Sequence, residues 1–209
     1  MTGGGAASHG APDERPRCWW AGADLERADR LMLAYHDDEW GRPVHDDVEL
    51  FERLALESFQ AGLSWSTILR KREAFRLAFR GFDPIVVAAF GPDDRARLLA
   101  DSGIVRNGAK IDATIGNGAA LLAIRADLGS FDAYLADRLP GPIPRLPSDA
   151  IGGSIPATTP AAEALSADLR RRGFRFVGPT IVYAFMQSVG LVDDHLPGCF
   201  RYIGPRPAA

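Results

Sequence analysis

Hydrophobic positions in the first half of the chain recur at the spacing of an α-helix and are bounded by residues that cap helices. Asp46 or Asp47 precedes an apolar pattern that runs to Gly62, and either carboxylate can accept hydrogen bonds from the free N–H groups of a first helical turn. Ser64 stands in the same position before a second segment, which extends to about Phe79. The pattern therefore predicts two helices joined by a tight turn.

Proline and glycine mark the boundaries of the later elements, because proline is favoured in the first turn of a helix and glycine after its last turn. The predicted boundaries are Asp83-Pro84, Gly91-Pro92, Thr159-Pro160 to Gly173, and Gly178-Pro179 to Gly190. Six prolines between 140 and 160 predict a long irregular loop. Residues 174–177 (FRFV) could form a strand, but the chain offers no convincing partner for it. We therefore expect an all-α fold.

The length of 209 residues suits one domain, and 46% hydrophobic residues can fill a sizeable core. Residues 1–16 are rich in glycine, alanine and proline and lack periodicity, which predicts a flexible tail before a single all-helical domain at 17–209. The chain contains no run of 18 or more apolar residues and no signal-peptide pattern. We expect a monomeric, cytoplasmic protein with no membrane partner.

The formal net charge of −3 gives no overall sign of nucleic-acid binding. Positive charge is nevertheless concentrated at 70–72 and at 170–172 with Arg175. Because a DNA duplex contacts one face of a protein, the distribution of charge matters more than its average. Charge alone therefore leaves DNA binding open.

Two cysteines and two histidines form a candidate metal site. Cys18 and Cys199 lie near opposite ends of the chain, and a reducing compartment disfavours a disulfide between them. With His36 and His195 they make a Cys2His2 set that suits tetrahedral zinc, and His195 and Cys199 stand four residues apart. By spacing alone, Cys18 and His36 are explained equally well as an ordinary core thiol and a surface imidazole.

A carboxylate interrupts an apolar helical strip. Leu50, Leu54, Glu57 and Ala61 share one side of the first predicted helix. Glu57 is either an edge residue whose carboxylate reaches solvent or a partly buried acceptor for a polar or cationic ligand. Aromatic residues nearby favour the second interpretation, although core packing also accounts for some of them. These aromatic residues are Trp19, Trp20, Tyr35, Trp40 and Trp65.

Residues 98–115 contain two amphipathic stretches that meet at a turn around Gly103, which is the arrangement of a helix-hairpin-helix. Backbone N–H groups of such a turn can hold a phosphate, and Arg106 and Lys110 add positive charge on one side. Packing of an ordinary helical hairpin explains the same pattern. Motifs of serine hydrolases, P-loop proteins, dinucleotide-binding folds and HExxH metalloproteases do not occur in the sequence.

Three longer motifs carry a family resemblance. They are AYHDDEWG at 34–41, LESFQAGLSW at 56–65, and RGFRFVG at 172–178 with Asp194-His195 and Cys199 beyond it. Over roughly residues 17–202 the chain resembles the DNA-3-methyladenine glycosylase I family. The resemblance implies a helix-hairpin-helix glycosylase fold whose N- and C-terminal segments are joined by one structural zinc ion. The implied zinc ligands are Cys18, His36, His195 and Cys199.

The resemblance also implies an activity, which is hydrolysis of the N-glycosidic bond of 3-methyladenine in alkylated double-stranded DNA. Glu57 matches the acid of the lesion pocket, and Tyr35 and Trp65 match its aromatic walls, with Trp20 and Trp40 nearby. The matched motifs contain no lysine that could form a Schiff base. We therefore expect a monofunctional glycosylase that leaves the strand uncut.

The implied DNA contacts are Leu63, which matches a residue that probes the base stack, and the hairpin from Gly103 through Arg106 to Lys110. Met32 stands where the family often has tyrosine, and Ser58 replaces a common glycine. These departures keep two alternatives open. One is a DNA-binding module that has lost catalysis, and the other is a zinc-stabilised protein-interaction domain.

Overall fold

The structure is a computed structural model that describes residues 14–22 and 29–204. Over these ranges the protein is helical, and its only β-type pairing is an isolated bridge between Arg145 and Asp193. The α-helices are α1 (Arg30–Asp38), α2 (Asp47–Gln60), α3 (Trp65–Ala78), α4 (Pro84–Ala88), α5 (Pro92–Ala100), α6 (Gly108–Leu128), α7 (Phe131–Arg138), α8 (Pro160–Arg171) and α9 (Pro179–Ser188). Short 3-10 helices occur at Trp19–Ala21, Arg80–Phe82 and Gly152–Ser154. The all-α prediction is confirmed.

The helix starts that cap residues predicted are confirmed. The Asp46 carboxylate accepts hydrogen bonds from the N–H groups of Val48 and Glu49 at the start of α2, and the Ser64 hydroxyl accepts one from Thr67 at the start of α3. Asp83 and Thr159 act in the same way before α4 and α8. Each cap satisfies N–H groups that have no partner inside the helix, so the signal is local and can be read from sequence.

Two helices were not predicted, α1 and α7. α7 is nevertheless capped by the Ser130 hydroxyl, and the Asp47 carboxylate accepts hydrogen bonds from the N–H groups of Phe131 and Asp132. The possible strand at 174–177 was not formed, because this segment bonds to side chains of other helices rather than to a partner strand. The proline-rich segment is the irregular connection expected, apart from one 3-10 turn.

α2 lies at the centre of the domain and is buried on all sides. Its ten consecutive residues from Leu50 to Phe59 are buried, including four polar ones. It packs against α3, α6, α7 and α9, so the apolar strip expected from sequence is only part of its buried surface. Polar side chains on α2 must therefore find a partner or face a cavity.

The ends of the described chain are held together. The backbone N–H of Phe200 donates to the carbonyl of Pro16, and the Arg15 guanidinium lies 4.0 Å from the Phe200 ring centroid. These two contacts place 15–16 within the folded part, whereas the predicted tail boundary included them. The rest of the predicted tail, 1–13, lies outside the described residues. Within the described ranges, no helix combines the length and apolar character needed to cross a membrane.

Lys110 does not occupy the position expected of a phosphate-binding residue. The side chain is buried, and its ammonium donates to the carbonyls of Phe59 and Ala61 at 2.9 and 2.7 Å. These carbonyls belong to the C-terminal end of α2, where the helix leaves acceptors unpaired and concentrates negative charge. The expected phosphate contact of Lys110 is therefore wrong for this arrangement, and the residue caps α2 instead.

We predict that Lys110→Met lowers the free energy of unfolding by about 1–3 kcal/mol, because it leaves two carbonyls at a helix end without their charged donor. Chemical denaturation measures the loss. Lys71→Met is the matched control, since the Lys71 ammonium also binds two carbonyls, those of Ser102 and Gly103, but is less buried. Equal stability of wild type and Lys110→Met would contradict the assignment.

Candidate active site and metal cluster

A cavity of about 420 Å³ opens beside the central helix. Its walls come from α1, α2, α3 and α9, together with the 3-10 helices at Trp19–Ala21 and Gly152–Ser154. The predicted pocket residues Glu57, Tyr35, Trp65, Trp20 and Trp40 all line it. Residues that are distant in sequence thus form one concave aromatic site, of the kind that holds a small planar ligand.

The aromatic walls form a continuous set of ring contacts. The centroids of Tyr35 and Trp65 are 5.1 Å apart, and those of Trp20 and Trp40 are 4.9 Å apart with an edge-to-face arrangement. Trp20 also lies 6.5 Å from Tyr35 and joins the two pairs. Such contacts restrict ring motion, so the π-faces that remain open to the cavity are held in place.

Glu57 is the acid of the cavity. Its side chain is only 5% exposed, and burial raises the pKa of its carboxyl to about 8, an effect that the positive charge of Arg53 opposes. No described residue forms a hydrogen bond with this carboxylate. A buried carboxylate without a donor is costly in free energy, so the cavity favours a ligand that brings positive charge or N–H groups.

Trp65 carries a hydrogen-bond donor, which complements the acceptor of Glu57. Its indole Nε1 is buried and has no hydrogen-bond partner in the described part of the chain. Donors of this kind are nearly always paired in folded proteins. Two residues that line the cavity therefore carry groups without a partner among the described residues, the Glu57 carboxylate and the indole N–H of Trp65.

Arg53 lies behind the aromatic wall. The carbon at the centre of its guanidinium is 5.7 Å from the Tyr35 ring centroid, and the group forms ion pairs with Glu39 at 2.7 Å and Glu49 at 3.0 Å. Burial and the nearby charge of Glu57 raise the pKa of Tyr35 well above its ordinary value. Tyr35 therefore stays neutral and presents an uncharged π-face at physiological pH.

The four predicted metal ligands come together. Cys18, His36, His195 and Cys199 are all buried, and their ligand atoms lie within 4.8 Å of one another. The Cys199 sulfur is 3.4 Å from Nε2 of His36 and 3.7 Å from Nδ1 of His195, and the Cys18 sulfur is also 3.7 Å from Nδ1 of His195. A tetrahedral zinc site with ordinary bond lengths has sulfur-to-nitrogen edges of about 3.5 Å.

Surrounding groups match what a thiolate metal site requires. The backbone N–H groups of Leu196 and Arg201 each donate to a cysteine sulfur at 3.4 Å. Nδ1 of His36 lies 2.8 Å from the Asp37 carboxylate, which orients the imidazole so that Nε2 faces the cluster. The two thiols lie close together, and their interaction raises the pKa of the Cys18 thiol and lowers that of the Cys199 thiol. The donor set therefore fits a divalent metal ion with a preference for sulfur and nitrogen.

The metal cluster adjoins the cavity wall. Trp40 meets the His195 ring edge-to-face at 4.7 Å between centroids, and Trp20 meets His36 in the same way at 5.2 Å. Tyr35 directly precedes His36 on α1. A metal ion that holds the two histidines would consequently hold the aromatic wall as well.

Leu63 and Arg106 lie at the surface, as expected of residues that contact a partner. Leu63 is 43% exposed in the loop between α2 and α3, and Arg106 is exposed in the turn between α5 and α6. The N–H of Gly103 is already taken by the Asp101 carboxylate at 2.7 Å. A short connection joins α5 to α6 as expected, but the Gly103 N–H is not free for a phosphate.

Sequence reasoning missed several cavity residues, among them Gln60 and, from α9, Ala184 and Gln187. Gln60 follows Glu57 by three positions on one helix, so helical spacing could have identified it. Nothing in the local sequence points to the α9 residues, because their position depends on how α9 packs against α2. Of the two family departures, Met32 lines the cavity. Ser58 instead donates to the carbonyls of Leu54 and Phe176 outside it.

Comparison with known proteins agrees with this geometry. Residues 25–202 match the family model described as methyladenine glycosylase. DNA-3-methyladenine glycosylase 1 of Escherichia coli is 44% identical over 191 residues, which cover 91% of this chain and 99% of the relative. A solved 3-methyladenine DNA glycosylase I is 45% identical with a TM-score of 0.83, covering 90% of this chain and 100% of that chain.

A second solved structure is a tyrosine-to-phenylalanine variant of a 3-methyladenine DNA glycosylase I in complex with 3-methyladenine. It is 38% identical, has a TM-score of 0.79, and covers 82% of this chain and 92% of that chain. The all-helical fold is thus shared with solved 3-methyladenine DNA glycosylases. The chain belongs to the methyladenine glycosylase family.

The raised pKa of Glu57 predicts a pH-dependent cost in stability. Because the folded-state pKa of about 8 exceeds the ordinary 4.5, the folded protein binds this proton more tightly than the unfolded chain does. The free energy of unfolding is therefore expected to fall as the pH rises from 4.5 to about 8, because the buried Glu57 carboxyl then loses its proton. We predict that Glu57→Gln is more stable than wild type at pH 8 and that the difference shrinks toward pH 5, as measured by thermal unfolding.

Glu52→Gln is the matched control on the same helix. The Glu52 carboxylate is also buried but forms an ion pair with Arg76 at 2.9 Å, so its loss should destabilise the protein at pH 8. A melting-temperature difference between wild type and Glu57→Gln that does not vary with pH would contradict the burial argument.

Proposed function

We propose that this protein removes 3-methyladenine from alkylated DNA by hydrolysing its N-glycosidic bond and leaves the strand uncut. The observation that carries the proposal is the buried Glu57 carboxylate, which faces an aromatic cavity and has no hydrogen-bond donor in the described chain. Family membership and a relative solved with 3-methyladenine support the same ligand.

The chemistry of the lesion explains why so little catalytic machinery is needed. Methylation at N3 gives the adenine in DNA a positive charge, which weakens the glycosidic bond and lets the base leave as a neutral molecule. A strong general acid is therefore unnecessary. The enzyme must extrude the nucleotide, bind the base and favour the geometry in which water attacks the sugar carbon.

Glu57, Tyr35 and Trp65 are assigned to base binding. The raised pKa of Glu57 leaves the side chain largely protonated at pH 7 in the free protein, and a cationic base favours its ionised form. The carboxylate then accepts a hydrogen bond from the exocyclic amine and attracts the positive ring. Stacking of the cationic base on Tyr35 and Trp65 contributes about 0.5 to 2 kcal/mol for each ring. Trp20 and Trp40 support this wall through the ring contacts described above.

Selectivity follows from charge and edge chemistry together. Normal adenine offers the same exocyclic amine but lacks the weakened bond. In 7-methylguanine the bond is weak, but a carbonyl oxygen would face the Glu57 carboxylate and leave both acceptors unpaired. Only N3-methyladenine meets both requirements.

We assign the Cys2His2 cluster to one structural zinc ion per chain. The two thiols and two imidazoles are the donors that zinc prefers, and four protein ligands leave no open position for a substrate. The ion would supply a cross-link between the N- and C-terminal segments. Cys18 and His36 hold it from one end of the chain, and His195 and Cys199 from the other.

We assign the substrate as double-stranded DNA, contacted by a monomer through Leu63 and the hairpin with Arg106. Exposure of both side chains supports this assignment. A cytoplasmic location is supported by the two cysteines, which are both unbridged and would have to stay reduced to bind a metal.

Release of free bases from methylated genomic DNA tests the function. Wild type should release 3-methyladenine and little 7-methylguanine. Glu57→Gln should release 3-methyladenine about a hundredfold more slowly, because the amide keeps the size of the side chain but removes its charge. Glu52→Gln is the control, since it removes an acid from the same helix outside the cavity.

Equal 3-methyladenine release by wild type and Glu57→Gln would remove Glu57 from the mechanism. No release by wild type would favour the DNA-binding module without catalysis. Efficient release of 7-methylguanine would refute the selectivity argument.

Metal analysis tests the cluster independently of activity. Protein purified without added metal should contain close to one zinc per chain, and Cys199→Ala should lower the melting temperature because one ligand is lost. A strong chelator should lower the melting temperature of wild type but have little effect on Cys199→Ala. A metal-free wild type of unchanged stability would refute the zinc assignment.

A further inference from the structure

Phe176 has an unusual backbone and an unusual exposure. Its φ angle is +53°, in the left-handed region that a bulky residue rarely adopts, and its side chain is 40% exposed. At a surface position without such a constraint, we would expect an ordinary backbone conformation or a smaller side chain. Conformational strain of this kind persists where surrounding contacts enforce it, and it concentrates at functional sites.

Three helices enforce the conformation. The Asn117 side chain of α6 accepts from the N–H of Arg175 at 2.8 Å and donates to its carbonyl at 3.0 Å. The Ser58 hydroxyl of α2 donates to the Phe176 carbonyl at 2.9 Å, and the Ser166 hydroxyl of α8 donates to the Val177 carbonyl at 2.6 Å. The backbone of residues 175–177 is thus hydrogen-bonded to side chains of three helices, whereas the phenyl ring of Phe176 is partly exposed to solvent.

The anchors connect Phe176 to the Leu63 loop. Ser58 lies in the last turn of α2, two residues before its end, and Leu63 follows in the adjoining loop. α6 contacts both segments, since Lys110 binds the carbonyls at the end of α2 and Asn117 binds Arg175. Seven residues of helix separate Lys110 from Asn117, which is about 10 Å. These hydrogen bonds thus connect the two segments that carry the exposed apolar side chains Leu63 and Phe176.

Charge around this region favours DNA as the partner. Arg171 and Arg172 pair with Asp168. In contrast, the exposed Arg170 and Arg175 form no ion pair with any residue that the structure describes. Free guanidinium groups beside an exposed phenyl ring suit a duplex, which offers phosphates outside and stacked bases inside.

We propose that Phe176 is a second apolar contact with the DNA duplex, which acts with Leu63 to hold the distorted base stack while the damaged nucleotide is extruded. The inference rests on the proposed function, because it assumes a nucleotide that leaves the stack. Opening a base step is unfavourable unless a side chain fills the gap. Because the backbone of Phe176 is already fixed by hydrogen bonds, its side chain can fill the gap without a further loss of backbone freedom.

Phe176→Asn separates this role from a structural one. Asparagine tolerates the left-handed conformation better than phenylalanine, and the anchoring bonds involve only the backbone of this segment. The melting temperature should therefore stay equal or rise. Single-turnover excision of 3-methyladenine from duplex DNA should fall about tenfold or more. Binding of free 3-methyladenine, followed by tryptophan fluorescence, should be unchanged because Phe176 does not line the cavity.

Two further variants serve as comparisons for Phe176→Asn. Leu77→Asn changes a side chain that is 78% exposed on α3, and it should leave excision unchanged. Arg106→Ala should weaken binding to all duplexes and flatten the dependence of affinity on salt, whereas Phe176→Asn should keep the wild-type salt dependence.

Excision from duplex DNA at the wild-type rate by Phe176→Asn would overturn the inference. It would also be overturned if the variant lost free-base binding in proportion to excision, since the defect would then lie in the cavity. Failure of the proposed function is a different result, namely no release of 3-methyladenine by wild type.

Discussion

The burial of α2 on all sides is the constraint on which the rest of the structure depends. Ten consecutive residues are buried, so each polar side chain among them needs a hydrogen-bond or ion-pair partner or must face a cavity. Glu52 pairs with Arg76, and Arg53 pairs with Glu39 and Glu49. Among the described residues, Glu57 lines the cavity and has no hydrogen-bond donor. The unfavourable free energy of a buried carboxylate is therefore located at the cavity, which is where the proposed function places the cationic base.

The Cys2His2 cluster links that position to the ends of the chain. The described termini converge through the Pro16–Phe200 hydrogen bond and through the four sulfur and nitrogen ligands. Because the two histidines are in ring contact with Trp20 and Trp40, order in the cluster is transmitted directly to the cavity wall. A metal ion held by this cluster would therefore help to fix the aromatic rings of the cavity through the two histidines.

Features that depend on neighbouring residues were predictable from the sequence, and features that depend on packing were not. Asp46 and Ser64 cap helices through bonds within three residues, so their role can be read locally. The ligand set and Glu57 followed from family motifs, since spacing alone left them open. Lys110 was misassigned because a lysine near a predicted turn looks exposed until the end of α2 is placed against it. Gln187 was missed for the same reason, as only the packing of α9 brings it to the cavity.

Most helices are capped and most buried charges of α2 are paired. Three departures lie near the end of α2: among the described residues the Glu57 carboxylate has no donor and the indole N–H of Trp65 has no acceptor, and Phe176 holds a left-handed backbone beside Ser58. Each departure lowers stability and is held in place by elements that are themselves well packed. Since flexible surroundings would let these groups relax, their persistence requires the rigid scaffold of α2, α6 and α9. In the proposed function, this scaffold keeps the unsatisfied groups in place for the base, and the binding energy of the base would favour the extruded nucleotide.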